Sequence, residues 1–508
     1  MKKGLKKLFS TFLAVALIMT MSVTAFAADT TQHTITIKND AAGHTYSAYQ
    51  IFQGDISGDK LVNIQWGNGV NGTALLAELK AKSDAYDECD SASDVAKALG
   101  AYENDSAGAK AFAEIAGKFL TTVAGTSTQG ATTDGITPYT IAVTGAGYYL
   151  VKNTGTVPYG NAMTGYILKV VGSNVEITAK DSIVTSEKKV KDIVDTDGTV
   201  TEWQDSADYD IGDIIPFQLK ATLPANFDSY KTYSLTFHDK ADASLNPDTS
   251  TVKVYVGETE VTNTALYQIK TKDLCNDGCS FEVKIPDVKA IGAVNGSVIT
   301  VEYNAQLTTA AVLGKTGNKN TMYVTYTNDM YVQGESGRTN DDTVIVFTYQ
   351  TVVNKIDANE KPLAGAEFKL QKNINGTWTD IAAVKNDDGT VFTFSGLDDG
   401  QYKLIETKAT DGYNKINDIE FTVSAEHQID SASPQLTALT GNAENGRVTF
   451  AHPKDSTDLS TLETSVVNKQ GVVLPSTGGI GTTIFYAIGA LLVIGAAVLF
   501  VSRRRVNS

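Results

Sequence analysis

The chain has 508 residues, only three cysteines and five histidines, and a formal net charge of −16 at pH 7. This charge argues against nucleic-acid binding, which needs a basic surface to attract phosphates. The few cysteines and histidines argue against a disulfide scaffold and against a multi-metal enzyme. At ~100–200 residues per domain, the length predicts about three domains.

Residues 1–27 are predicted to be a secretory signal peptide. Four lysines within residues 2–7 precede an apolar stretch, and Ala25-Phe26-Ala27 supplies the small-x-small cleavage pattern. The alternative is a retained membrane anchor. It is less favoured because the apolar stretch is shorter than the roughly 20 residues that a membrane span needs.

The last 35 positions, 474–508, combine three features in a fixed order. The sequence Leu474-Pro475-Ser476-Thr477-Gly478 is followed by apolar residues at 480–501 and by three arginines at 503–505. The apolar run is long enough to span a bilayer, and the arginines are expected to stay cytoplasmic. This order resembles the L-P-x-T-G sorting signal of Gram-positive surface proteins. The resemblance implies that a sortase cysteine attacks the Thr477 carbonyl and releases Gly478 with the tail.

Between the two ends, short alternating apolar and polar stretches are separated by Gly, Asn and Asp, a pattern typical of β-sandwiches. We therefore predict a mainly β chain of tandem immunoglobulin-like modules. Residues 73–120 differ, because their apolar residues fall at helical spacing, and they predict two or three short helices inserted in the first module. The predicted boundaries are 28–182, 183–345 and 346–473 for the three modules.

The third module carries VVNKID at 352–357, PLAGAEFKL at 362–370 and GQYKLIET at 400–407. These motifs resemble the Cna B-type, SpaA-like domain. The resemblance implies an isopeptide bond between Lys355 and Asn468, promoted by Glu406. The chemistry is physically reasonable, because burial lowers the pKa of an amine and raises that of a carboxyl. A neutral amine can then attack an amide that the protonated Glu406 polarises.

The second module carries TSEKKVKD at 185–192, YSLTFHDK at 233–240 and GNKNTMYVTYTN at 317–328. These stretches resemble the middle domain of sortase-assembled backbone pilins. The resemblance implies a similar bond between Lys188 and Asn320, with Asp239 as the proton shuttle. Lys189 remains an alternative to Lys188, since neighbouring residues of a strand face opposite sides and the sequence does not show which side is buried. Asn328 remains an alternative to Asn320, because it ends the same predicted strand.

The cysteines leave two interpretations open. Cys275 and Cys279 form either a small disulfide loop, plausible in a secreted chain, or two reduced thiols. Cys89 has no evident partner. No metal site is expected, because no histidine cluster accompanies the C-x3-C pair, and no cofactor is expected either.

The first module, with SAYQIFQGD at 47–55 and GYYLV at 147–151, resembles the N-terminal domain of backbone pilins. In that family a lysine at the end of this domain joins one subunit to the next. Lys180 occupies the equivalent position, although Thr178-Ala179 replaces the usual Tyr-Pro. Lys38 could begin a third isopeptide bond, but no glutamate stands at the equivalent of Glu406, so no bond is predicted.

These resemblances imply a shaft subunit of a covalent pilus on a Gram-positive cell wall, linked from Lys180 to Thr477. The implied partners are a pilus-type sortase, identical subunits, peptidoglycan and minor tip or base pilins. A monomeric wall-anchored adhesin is the alternative, with 73–120 as its candidate ligand surface. An enzyme is not expected, since neither H-E-x-x-H nor G-x-S-x-G occurs.

Overall fold

The computed structural model describes residues 31–179, 183–332, 334–335, 337–471 and 480–506. The predicted signal peptide, Lys180 and the sorting motif at 474–478 lie outside these residues. Within them the chain forms three β-sandwich modules in succession, followed by one long helix. The predicted mainly β, tandem-module fold is confirmed.

The first module packs two sheets around a core of alternating apolar residues. One sheet has the strand order β5-β6-β1-β9, and the other has the order β3-β2-β7-β8 with β4 beside β2. The strands are β1 (Gln32–Asn39), β2 (Tyr46–Ser57), β3 (Lys60–Trp66), β4 (Gly125–Thr126), β5 (Thr128–Gln129), β6 (Thr137–Thr144), β7 (Gly147–Asn153), β8 (Ile167–Val171) and β9 (Val175–Thr178).

Three helices are inserted between β3 and β4, as the spacing predicted. They are α1 (Gly72–Lys82), α2 (Ala92–Leu99) and α3 (Ala107–Ala116). Each begins after a side chain that caps its free N–H groups: Asn71, Ser91 and Ser106. Their apolar faces join one core with β2 and β3, so much of the insert's apolar surface covers the sheet.

The second module is the largest sandwich. Its sheets have the orders β10-β14-β20-β16-β17 and β13-β23-β21-β15-β19-β18, with β22 beside β21 and a separate β11-β12 hairpin. The strands are β10 (Thr185–Val190), β11 (Ile193–Val194), β12 (Thr199–Val200), β13 (Ser206–Asp208), β14 (Ile214–Thr222), β15 (Leu235–Ala241), β16 (Leu245–Val256), β17 (Thr259–Glu260), β18 (Gln268–Thr271), β19 (Phe281–Ile285), β20 (Val298–Leu307), β21 (Asn318–Tyr326), β22 (Gly337–Arg338) and β23 (Asp342–Phe347).

The third module places its first and last strands side by side in parallel, β24 against β32. Its sheets have the orders β27-β28-β24-β32 and β26-β25-β29-β30-β31. The strands are β24 (Tyr349–Ile356), β25 (Glu367–Ile374), β26 (Thr377–Ile381), β27 (Val384–Lys385), β28 (Val391–Leu397), β29 (Gly400–Lys408), β30 (Ile419–His427), β31 (Leu436–Ala443) and β32 (Thr461–Val467).

The second and third modules join at Thr348, between β23 and β24, so the predicted boundary at 345/346 falls inside β23. Successive residues of this strand face opposite sides. Val344 and Val346 pack in the core of the second module, whereas Ile345 and Phe347 pack in that of the third. The sequence shows no break here because one strand contributes to both cores.

Beyond the modules lies helix α4 (Ile480–Val506). Its stretch Ile484–Arg503 has a mean hydropathy of 2.7 and is long and apolar enough to cross a membrane. This agrees with the predicted membrane-spanning tail.

The contact between the second and third modules is strongly acidic. Lys372 on β25 is fully buried there, and its Nζ lies 2.7 Å from Asp195 and 2.8 Å from Asp210, with Asp398 also in contact. Nearby, burial raises the pKa of Asp192 to about 8, and the charges of Asp208 and Asp399 add to this effect. Carboxyls in this contact therefore hold protons more tightly than they do in the unfolded chain.

This predicts that stability falls as pH rises. The unfolded Asp192 loses its proton near its ordinary pKa of 3.8, whereas the folded carboxyl keeps it to about 8. Raising the pH between these values therefore reduces the free energy of unfolding. We expect a lower midpoint of thermal unfolding at pH 8 than at pH 5. Asp192→Asn should restore about 1–3 kcal/mol at pH 8, because the neutral amide removes the buried charge and its repulsion from Asp208 and Asp399.

Calorimetric unfolding of the full chain at both pH values measures the effect. The matched control is Asp197→Asn on the neighbouring hairpin, where the side chain is exposed. An Asp192→Asn variant that keeps the wild-type difference between pH 5 and pH 8 would show that this carboxyl does not titrate in that interval.

Candidate functional site

The three residues predicted in the third module meet in its interior. Lys355 stands near the end of β24, Asn468 directly follows β32, and Glu406 reaches them from β29 in the facing sheet. All three side chains have no solvent exposure. Asn468 Nδ2 donates to Glu406 Oε1 at 2.7 Å, and Lys355 Nζ donates to the carbonyl of Val466 at 3.1 Å.

The parallel register explains this meeting. Lys355 lies opposite Val466, and the Asn468 backbone N–H donates to the carbonyl of Ile356 at 3.2 Å. The amine and the amide therefore belong to adjacent strand ends. Burial lowers the pKa of Lys355, which favours the neutral amine over the ammonium ion.

Glu406 is held from both sides. Its Oε2 accepts the backbone N–H of Ile416 at 2.8 Å, while its Oε1 accepts from Asn468. The carbonyl oxygen Oδ1 of Asn468 has no hydrogen-bond partner. The side-chain amide thus contacts the Glu406 carboxyl while its own carbonyl oxygen accepts no hydrogen bond.

The second set of residues also meets, but across the sandwich rather than between neighbouring strands. Lys188 comes from β10 in one sheet, whereas Asp239 on β15 and Asn320 on β21 come from the other. All three have no solvent exposure, and Lys188 Nζ bonds Asp239 Oδ2 directly. Asn320 is not on the final strand of the module, since β23 follows it.

A fourth residue, Tyr303 on β20, connects this set. Its hydroxyl donates to Asp239 Oδ2 at 2.7 Å and accepts from Asn320 Nδ2 at 2.7 Å and from Lys188 Nζ at 3.2 Å. The sequence did not identify it, because a tyrosine in an alternating strand looks like any other core aromatic. The only available signal is that a buried tyrosine hydroxyl needs a polar partner.

Burial shifts both ionisable partners of this set toward their neutral forms. It lowers the pKa of Lys188 and raises the pKa of Asp239. Phe217 and Tyr303 line the amine with aromatic rings, 5.3 and 5.4 Å from Nζ. Asp239 Oδ1 and Asn320 Oδ1 both lack a hydrogen-bond partner.

The two alternatives left open by the sequence lie elsewhere. Lys189 faces the other side of β10 and pairs with Asp205 at 2.6 Å. Asn328 is buried beyond the end of β21, where its carbonyl accepts the N–H of Met163 in the first module. Neither side chain belongs to the set around Asp239.

The possible disulfide is not present in the structure: Cys275 and Cys279 are free thiols. Each has its own acceptor, since Cys279 Sγ donates to Asp277 Oδ2 at 3.0 Å and Cys275 Sγ to the carbonyl of Thr271 at 3.4 Å. Cys89 is also free and is buried in the first module.

The surroundings of Lys180 are described, although Lys180 itself is not. Strand β9 ends at Thr178, and the N–H of Ala179 donates to the carbonyl of Lys38. Lys38 is partly exposed and pairs with Glu176 at 2.7 Å, so it contributes nothing to the interior. On the other side, Ile183 lines a cavity of about 1460 Å³ whose walls include residues of all three modules.

Two family models match the chain. Residues 350–434 match the SpaA prealbumin-like fold domain, and residues 466–508 match the LPXTG cell wall anchor motif. The chain is therefore an extracellular, cell-wall-anchored protein built from immunoglobulin-like modules.

Among curated proteins, the chain resembles the trypsin-resistant surface T6 protein of Streptococcus pyogenes serotype M6. The two are 26% identical over 261 residues, which is 40% of this chain and 48% of that protein. The match thus spans about half the length of this relative.

Two solved structures share the fold over most of the chain. The T6 backbone pilin of serotype M6 Streptococcus pyogenes has a TM-score of 0.57 and 18% identity, covering 87% of this chain and 99% of that one. The major pilin SpaD of Corynebacterium diphtheriae has a TM-score of 0.51 and 17% identity, covering 88% and 100%. The chain thus has the modular fold of backbone pilins together with a sortase-type anchor motif.

Proposed function

We propose that this chain is the structural shaft subunit of a covalent pilus rather than an enzyme. A pilus-type sortase joins Lys180 of one subunit to Thr477 of the next, and the last subunit is transferred to peptidoglycan. Minor tip or base pilins complete the fibre. The main support is the presence of two fully buried Lys–acid–Asn sets within a backbone-pilin fold, because burying ionisable groups costs free energy that an apolar sandwich core avoids.

Within each subunit, Lys355 bonds to Asn468 and Lys188 bonds to Asn320. The neutral Nζ attacks the side-chain carbonyl carbon of the asparagine, a new C–N bond forms, and the amide nitrogen leaves as ammonia. The neighbouring acid relays the proton from the attacking amine to the leaving nitrogen. Folding holds the groups together, so that no external catalyst is needed.

The unsatisfied oxygens support this role for the acids. Protonated Asp239 has a donor to offer, and both its Oδ1 and the Oδ1 of Asn320 lack partners. In the third module, rotating the Asn468 amide by half a turn presents its carbonyl oxygen to Glu406 Oε1. A hydrogen bond from either acid withdraws electrons from the carbonyl and favours attack by the amine.

The first prediction of this proposed function concerns intact mass. The full chain should be two ammonia masses lighter than its sequence requires. Glu406→Ala and Asp239→Ala should each restore one ammonia, because the amine then lacks its proton relay. Intact-mass spectrometry followed by peptide mapping measures this. Lys189→Ala is the matched control and should leave the mass deficit complete. A wild-type chain of full sequence mass would contradict both bonds.

A second prediction concerns Tyr303. Tyr303→Phe removes the hydroxyl that connects Asp239 to Asn320, so the bond in the second module should form at least about tenfold more slowly, which corresponds to ~1.4 kcal/mol of barrier. Time-resolved mass spectrometry during refolding gives the rate. Tyr233→Phe is the control, because that buried hydroxyl has no partner. Equal rates of bond formation in both variants would show that the Tyr303 hydroxyl takes no part in the reaction.

The third prediction separates a shaft subunit from a monomeric adhesin. Coexpression with a pilus-type sortase should yield a ladder of detergent-resistant bands in wall extracts. Lys180→Ala should collapse the ladder, whereas Lys38→Ala should not. A ladder that persists in the Lys180→Ala variant would show that another lysine forms the link between subunits. A single monomer band from the wild-type chain would favour the wall-anchored adhesin instead.

A further inference from the structure

We propose that the turn at 275–279 and strand β15 form a binding site for a divalent zinc-class metal ion. The ligands are His238, Asp277, Cys279 and Cys275. The site lies on the outer face of the second module, separate from the proposed cross-link inside it.

Side chains from distant parts of the sequence converge here on one carboxylate. Asp277 Oδ2 lies 2.8 Å from His238 Nδ1 and 3.0 Å from Cys279 Sγ. The ligand atoms of these three residues lie within 4.8 Å of one another, and so do those of Cys275, Asp277 and Glu282. Asp277 belongs to both groups, so two thiols and an imidazole surround it.

Strand pairing and one turn produce this convergence. His238 pairs with Glu282 on β19 and with Tyr323 on β21, so all three lie in one row across the sheet. Gly278 has a φ of +81°, a left-handed conformation that suits glycine and reverses the chain between Asp277 and Cys279. The N–H of Cys279 donates to Asp277 Oδ1 at 3.0 Å and fixes the turn.

Hydrogen bonds fix the orientation of the His238 ring. Thr325 donates its hydroxyl hydrogen to Glu335, and its oxygen lies 2.9 Å from His238 Nε2. This contact turns Nδ1 toward Asp277 Oδ2 at 2.8 Å, so the imidazole nitrogen, the carboxylate and the Cys279 thiol lie within 4.8 Å of one another.

The donor set selects the class of metal. Two thiolates, an imidazole and a carboxylate suit a tetrahedral zinc-type ion and not the harder calcium or magnesium ions. Tyr323 donates to Asp277 at 2.5 Å and orients it, as Thr325 orients His238. Glu282 Oε1 also lies 3.7 Å from His238 Nδ1, but Glu282 pairs with Lys270 at 2.9 Å, and the proposed ligand set leaves this ion pair intact.

The site is open to solvent on one side. The Asp277 side chain is 29% exposed and Cys275 is half-buried, whereas Cys279 is buried beneath them. An ion can therefore enter from outside and meet the deeper thiol last. On coordination, each thiol releases its proton to solvent.

The experiment titrates the full chain, purified in detergent under reducing conditions and freed of metal with a chelator. Zn²⁺ binding is measured by calorimetry, and Co²⁺ serves as a spectroscopic probe because thiolate coordination gives a near-ultraviolet charge-transfer band. We expect one ion per chain, with the thiolate band present. His238→Ala and Cys279→Ser should weaken Zn²⁺ binding by about tenfold or more.

Cys89→Ser is the matched control, since this third cysteine lies in the first module, and it should bind as the wild type does. Cys275→Ser provides a second ligand variant at a half-buried position if Cys279→Ser does not fold. Absence of Zn²⁺ binding by the reduced wild-type chain would overturn the proposal. Binding that survives every ligand variant would overturn it as well, as would binding without the thiolate band.

Discussion

Placing a lysine amine inside an apolar β-sandwich is the constraint on which the rest of this structure depends. An ammonium ion loses its hydration there, and burial accordingly lowers the pKa of both Lys188 and Lys355. Lys372 shows the opposite solution, because three aspartates surround it and raise its pKa. Two buried lysines thus favour the neutral amine that the proposed cross-links require, while the third serves as a charged contact between modules.

Much of this arrangement could be predicted from sequence, because it follows local patterns. Alternation identified the strands, helical spacing identified the inserted helices, and the resemblance of the quoted motifs to known pilin domains selected the Lys355 and Lys188 sets. What escaped prediction depends on pairing between distant strands. Tyr303 and His238 acquire their surroundings only when β20 and β15 take their places in the sheets. The sequence near Cys275 contains no histidine, so no metal site was expected there.

Strand β15 shows how one pattern serves two purposes. Its alternation turns Asp239 inward, to Lys188, and His238 outward, to Asp277. The two side chains are neighbours in sequence yet belong to opposite faces of the sheet. A change on the outer face therefore acts on the strand that also positions the acid of the inner set, and the same holds for Tyr323 and Asn320 on β21.

The position of Asn320 has a mechanical consequence. A tensile load passing through two cross-linked modules would run from Lys188 directly to Asn320 and from Lys355 directly to Asn468, bypassing the loops between each pair. Residues 321–354 belong to neither closed loop, and hydrogen bonding and packing alone hold the described part of this stretch. It includes β23, which is shared by two cores. This stretch would be an extensible element between two inextensible segments, able to lengthen under a sudden pull and to recoil afterwards.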